Sequence, residues 1–239
     1  MVNRFFSKRM IATGVLVFLL MGCQQGPAPT REALVEKFPD IEAGSLRAEN
    51  KEILCPFVRM MERAGLFDEE TNQESPLNVA VSSVRNGAED FGCATVECGA
   101  VASAVANAQG GGGIDLELLH EANGIAHECG LTFAFGGTEV DDEVRAETLS
   151  RLAELADEDG NLIYDDLLAV KLEICAEQDV TMTTPGETEV KLIFAYLGGV
   201  ENGSVPLSDV DRFLHATMPE YKTTSWVNAT LLGNVQVQE

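Results

Sequence analysis

Basic residues are scarce. The 239-residue chain has 16 Lys and Arg against 39 Asp and Glu, a formal charge of −23. Proteins that bind nucleic acid need a basic footprint to displace counterions from phosphates. A general DNA- or RNA-binding role is therefore excluded. No second closely spaced cysteine pair accompanies Cys93 and Cys98, which argues against an iron–sulfur cluster. The glycine-rich run 109–113 lacks the lysine and spacing of a phosphate-binding loop and reads as a linker. Strand alternation is absent apart from a weak run at 131–135, and no internal repeat is visible. What is present is a globular composition, 45% apolar and 23% charged, over a length that suits one domain with extensions.

The N-terminus differs in kind from the rest. Arg4, Lys8 and Arg9 precede an apolar run over residues 10–21. The run is short of the roughly 20 residues of a membrane span, and the order is that of a signal peptide. It ends in Leu20-Met21-Gly22-Cys23, which resembles a bacterial lipobox. The resemblance implies that residues 1–22 are removed and that Cys23 carries lipid. The protein would then be held at the cell envelope by acyl chains, and Gln24 in place of aspartate favours the outer membrane. On this reading residues 23–45 are the lipidated cysteine and a tether, flexible over 24–30. Residues 46–226 are the folded domain, and 227–239 a tail.

Six cysteines are present: Cys23, Cys55, Cys93, Cys98, Cys129 and Cys175. With Cys23 taken by lipid, an oxidising compartment leaves an odd number, hence two bridges and one thiol. Spacing does not give the pairing. Cys55 precedes Pro56 and a short helix that stops at Gly65. Proline is favoured at the first helical position, which puts Cys55 at the N-cap. There, unpaired amide N–H groups and the positive end of the dipole suit a thiolate ligand or nucleophile. A disulfide partner or an inert buried thiol is the alternative.

Helical periodicity dominates the remainder, so the expected class is all-α. Helices are predicted over 31–38, 93–108, 115–122, 142–156, about 164–178, 187–198 and 208–218. The 93–108 helix reads as buried, and Ser208 as a cap. The acidic segment 155–166 invites comparison with a calcium loop. With Gly160 at position 6, Leu155 falls at position 1 and Asp166 at position 12, so the first ligand is missing and the last is short. A helix–turn–helix joint fits better.

Several segments, taken in order, resemble the haem-thiolate chloroperoxidase and peroxygenase family. Leu54-Cys55-Pro56 opens a helix that is followed by Ala64-Gly65-Leu66-Phe67. Gly124-Ile125-Ala126-His127-Glu128-Cys129-Gly130-Leu131-Thr132 is similar to the family's Glu-His-Asp-x-Ser signature. Asp159-Gly160 turns into a long helix. Glu189 lies in a segment like the one carrying the family's distal acid–base, and Val205 to Trp226 is like its closing run.

The resemblance implies a single chloroperoxidase-like helical domain with haem b. Cys55 would be the axial thiolate ligand of the iron, followed by Pro56. Glu189 would be the acid–base that moves the peroxide proton, and His127 would orient it. Hydrogen peroxide and a halide or small organic molecule would be the substrates. In the family a glutamate, the histidine and a serine lie near a divalent cation. Ala126 and Gly130 replace two of the three, which argues against a second divalent cation here. His120 and His215 carry no motif and read as structural. Two other readings compete. One is a non-catalytic envelope lipoprotein that binds haem or another apolar ligand. The other is a structural protein with its cysteines bridged or buried.

Overall fold

A computed structural model of the protein describes residues 26–71, 78–123, 125–126 and 129–235. Residues 1–22, read above as a signal peptide, and Cys23 and His127 lie outside the described residues. Helix α1 (Arg31–Lys37) starts where the Thr30 hydroxyl accepts the Ala33 N–H at 3.3 Å. A 3-10 turn (Pro39–Ile41), α2 (Pro56–Arg63) and α3 (Asp68–Thr71) follow. Strand β1 (Val79–Ala80) runs straight into α4 (Val81–Asp90), and α5 (Thr95–Ala108) leads through the glycine run to β2 (Gly113–Ile114). Then come α6 (Asp142–Leu155), β3 (Asn161–Leu162), α7 (Tyr164–Glu177), α8 (Thr184–Tyr196), α9 (Gly199–Asn202), β4 (Val205–Pro206), α10 (Leu207–Leu214) and α11 (Ala229–Gly233). The fold is mostly helical. No helix among the described residues is long and apolar enough to cross a membrane.

One device occurs twice. Strands β1 and β2 pair antiparallel with Val79 opposite Ile114, and β3 and β4 pair antiparallel with Leu162 opposite Val205. All four of these apolar residues are buried. The β3–β4 bridge joins the α6–α7 turn to the α9–α10 turn, and the β1–β2 bridge ties the start of α4 to the segment after α5. The sequence shows no repeat because only the bridge residues and the helix faces need to agree.

Several expected helices are found within a residue or two. Asp141 caps α6 by accepting the Glu143 and Val144 N–H groups at 2.8 and 3.3 Å. The α6–α7 joint is a tight turn in which Asp157 accepts the N–H groups of Asp159 and Asn161, with Gly160 at φ 78°. Other expectations are corrected. Residues 131–135 form no strand. Residues 115–122 yield only a 3-10 turn, Leu119–Glu121. There the Gln109 side chain accepts the Asp115 N–H and donates to the Asp115 and Leu118 carbonyls, doing the work of a helical ladder. Helix α5 buries Ala102, Val105 and Ala106 but leaves Val96 and Val101 in solvent. Helix α10 starts at Leu207, directly after β4, so Ser208 does not cap it. Helix α4 is absent from the sequence-based expectations. Its Gly87 lets it approach α2 closely, since a Cβ there would lie 3.3 Å from the Met61 sulfur.

The core gathers Met60, Phe67, Leu152, Leu167, Ile193, Phe194 and Phe213 from these helices. It also takes in Leu34, Phe38 and Ile41 ahead of residue 46, and Val227, Leu231 and Val235 beyond residue 226. The described parts of the segments read as tether and tail therefore pack into the same core.

Two disulfides form, Cys93–Cys98 and Cys129–Cys175, and Cys55 keeps a free thiol. The second bridge ties the segment 129–137 to α7 across a separation of 46 residues. Replacing Cys129 and Cys175 together by alanine is expected to lower the unfolding free energy by about 2–4 kcal/mol. Urea denaturation reads this directly, and an unchanged midpoint would contradict it.

Candidate functional site

Pro56 fixes the first φ of α2 and has no N–H to leave unpaired, so the helix starts there. Cys55 then sits at the N-cap with φ −72° and ψ 115°, and its carbonyl accepts the Arg59 N–H at 2.9 Å. The stretch ahead of it is held by a buried guanidinium. Arg59 is fully buried and donates to the carbonyls of Ile53 (2.9 Å), Leu54 (2.9 Å) and Leu214 (2.8 Å). It faces Glu49 at 3.4 Å, and Glu49 also accepts from Arg145 at 2.7 Å. Burial pushes Arg59 down to about 10, still charged at neutral pH.

The environment of the Cys55 thiol contains a contest. Burial pushes the thiol up, and the Glu189 carboxylate adds to that. The amide N–H groups of Val58 and Phe57 and the Arg59 guanidinium act the other way. Burial wins, so the helix N-terminus does not by itself make Cys55 a thiolate. Cys55 should therefore react with iodoacetamide at pH 8 more slowly than free cysteine does. Mass spectrometry of the Cys55 peptide measures this, and a rate above that of free cysteine would contradict it.

Glu189 lies on α8 and forms an ion pair with Lys171 of α7. Lys171 is fully buried, and Glu189 is 15% exposed. Taking an ammonium out of water is costly unless a counter-charge goes with it, so the pair fixes both side chains. Glu189 is within electrostatic reach of both Cys55 and Arg59. Aromatic contacts join the same helices. Phe57 of α2 meets Tyr196 of α8 edge-on at 5.3 Å, and Tyr164 of α7 meets Phe194 of α8 at 5.8 Å. The Tyr164 hydroxyl is buried with no hydrogen-bond partner among the described residues, and burial pushes it up to about 12.

The structure thus brings Cys55, Pro56 and Glu189 into one region. His127 and Glu128 lie outside the described residues, while Ala126 is half-buried. His215 faces Asp211 through Nδ1 at 2.9 Å, in keeping with a structural role. Among the described residues no group of three or more His, Cys, Asp and Glu could hold a metal ion. A haem needs only one protein thiolate, and a half-buried thiol at a helix start, left over when the bridges have formed, is a donor of that chemistry. A polar cleft of about 500 Å³ opens beside the glycine run, near Gln109, Asp115 and Glu121. Neither Cys55 nor Glu189 lines it.

Two residues of this region escape the sequence reading. Lys171 carries a usable signal, because it falls among Leu167, Val170 and Ile174 on the buried face of α7. Arg59 carries a similar one, between Cys55 and the buried Met60 and Met61. No protein-family model matches the chain, and no curated protein matches it.

Proposed function

We propose that the protein is an exported, lipid-anchored haem-thiolate peroxidase or peroxygenase. One observation carries the reading. Cys55 is the cysteine left free by the two disulfides, it sits at a helix start, and Glu189 lies within electrostatic reach of it. Cys55 would hold haem b through the iron, and Pro56 fixes the helix start that presents the sulfur. Bound haem supplies the iron at which peroxide is activated. The raised thiol is no obstacle, because coordination to a metal ion deprotonates a thiol outright. The Phe57 and Val58 N–H groups then favour the charge that remains on sulfur.

Glu189 takes the proton from the near oxygen of hydrogen peroxide and delivers it to the leaving oxygen. The substrates would be hydrogen peroxide and a halide or small organic molecule. Lys171 holds the Glu189 carboxylate in place, and the family resemblance would give His127 the role of orienting it. Haem-loaded protein should oxidise a one-electron dye with peroxide, and Cys55→Ala should not. An equally active Cys55→Ala would remove the thiolate from the account.

A second reading has its own observation. The buried Lys171 ammonium neutralises Glu189, and a neutralised carboxylate is a weaker base. This favours a non-catalytic protein that binds haem or another apolar ligand. It predicts haem uptake without peroxide-dependent turnover.

A further inference from the structure

Charge is unevenly spread along the chain. Residues 10–30, 98–114 and 223–238 contain no Asp, Glu, Lys or Arg, and every other uncharged run is shorter. The fold brings the described parts of these three runs together. The Val227 N–H donates to Gly92 and its carbonyl accepts from Ala94, both at 2.9 Å, which joins the last run to the start of α5. Glu97 is the one charged residue on α5, and its carboxylate accepts the Ala229 N–H at 3.3 Å, at the start of α11. The first run ends at the same place. The Trp226 indole donates to the Gly26 carbonyl at 2.6 Å, Ala28 is buried, and the Lys222 ammonium donates to the Pro29 carbonyl at 2.7 Å.

The surface so formed exposes Val96 (79%) and Val101 (54%), with Ala100, Ala104, Ala229 and Thr230 around them. The cation beside it is Arg85 of α4, packed against Gly99. The occupant follows from the chain outside the described residues. Cys23 precedes Gly26 by three residues, a reach of at most about 11 Å. Lipid on Cys23 would enter a bilayer next to Trp226 and the start of α5. A protein of charge −23 is repelled from an anionic surface, so the face turned to lipid should be an uncharged one. Exposed valines and an indole suit the headgroup boundary.

We infer that the face of α5 and α11, whose one carboxylate, Glu97, is engaged by the Ala229 N–H, rests on the lipid surface, with the more acidic remainder of the domain turned away from it. The inference rests on the lipid-anchor reading of Cys23 and is independent of haem. Trp226 is the sole tryptophan and reports on this face. The test uses the full-length, acylated protein in phosphatidylcholine vesicles whose acyl chains are brominated near the headgroup. Sedimentation with the vesicles reads the anchor, and quenching of Trp226 emission reads the docking.

The expected result is sedimentation with strong quenching. Val96→Glu with Val101→Glu should still sediment, with quenching largely lost. Each exposed valine withdrawn from water favours the docked pose about tenfold, so the pair should shift it about a hundredfold. Both positions are exposed, and an unchanged circular dichroism spectrum checks the variant's fold. Sedimentation without quenching, or equal quenching in the variant, overturns the docking while the anchor stands. Failure to sediment overturns both. Cross-linked pairs of the chain with this face covered would assign it to a second copy and overturn the lipid contact.

Discussion

Arg59→Met is expected to lower the unfolding free energy by about 2–6 kcal/mol. Methionine keeps the apolar stem but removes every donor of the guanidinium. The carbonyls of Ile53 and Leu54 then lose their partner, while the Leu214 carbonyl keeps Arg145 at 3.2 Å. A buried group left unsatisfied costs about 1–3 kcal/mol. Glu49 keeps Arg145 at 2.7 Å and is not stranded, so the loss stems mainly from the Ile53 and Leu54 carbonyls. Against a total stability of about 5–15 kcal/mol for a typical protein, the variant should be close to unfolding at 37 °C. Urea denaturation measures it, and a loss below about 1 kcal/mol would mean that the backbone relaxes to meet water. The three carbonyls belong to the segment leading into Cys55 and to the end of α10, so a destabilised variant should also present the thiol less well.

Glu189→Gln is expected to lower peroxide-dependent turnover of haem-loaded protein by about 10²- to 10⁴-fold, the range typical for loss of an acid–base group. Haem uptake through Cys55 should be unchanged, because glutamine keeps the shape and loses only the charge and the proton relay. Turnover equal to that of the unaltered protein would make Glu189 a structural residue and put the non-catalytic reading first. Stability offers an independent view of the same pair. Glutamine leaves the buried Lys171 ammonium without its counter-charge, which should cost about 3–5 kcal/mol. Lys171→Met alone takes the ammonium away from the carboxylate and should also cost stability. Combining Lys171→Met with Glu189→Gln removes both charges and should recover much of that loss. If the double variant is instead as unstable as the sum of the two, the side chains do not act as a pair.

Much of the backbone was legible because its signals are local. Asp141 ahead of an apolar period marks α6, Gly160 in an acidic turn marks the α6–α7 joint, and Cys55-Pro56 marks the start of α2. What was not legible is non-local. A two-residue bridge such as Val79 opposite Ile114 is too short to show alternation. The helix expected over 115–122 is displaced by one side chain, Gln109, that no propensity accounts for. The pairing of Cys129 with Cys175 follows from how a loop lies on α7, not from spacing.

The site divides in the same way. The N-cap position of Cys55 could be read from two residues. That burial outweighs the helix N-terminus at its sulfur could not, because the groups that bury it come from elsewhere in the chain. Glu189 was named from a resemblance, whereas its partner Lys171 stands on a different helix.

The central claim is that Cys55 ligates haem iron as a thiolate, and the reduced carbon monoxide complex of haem-loaded protein tests it most directly. Soluble protein from residue 31 onward would omit 26–30, which pack against Trp226 and Lys222, so the full-length chain in detergent is the better sample. The account predicts a strongly red-shifted Soret band that disappears in Cys55→Ala. A chain that takes up no haem, or a band that Cys55→Ala leaves unchanged, contradicts it.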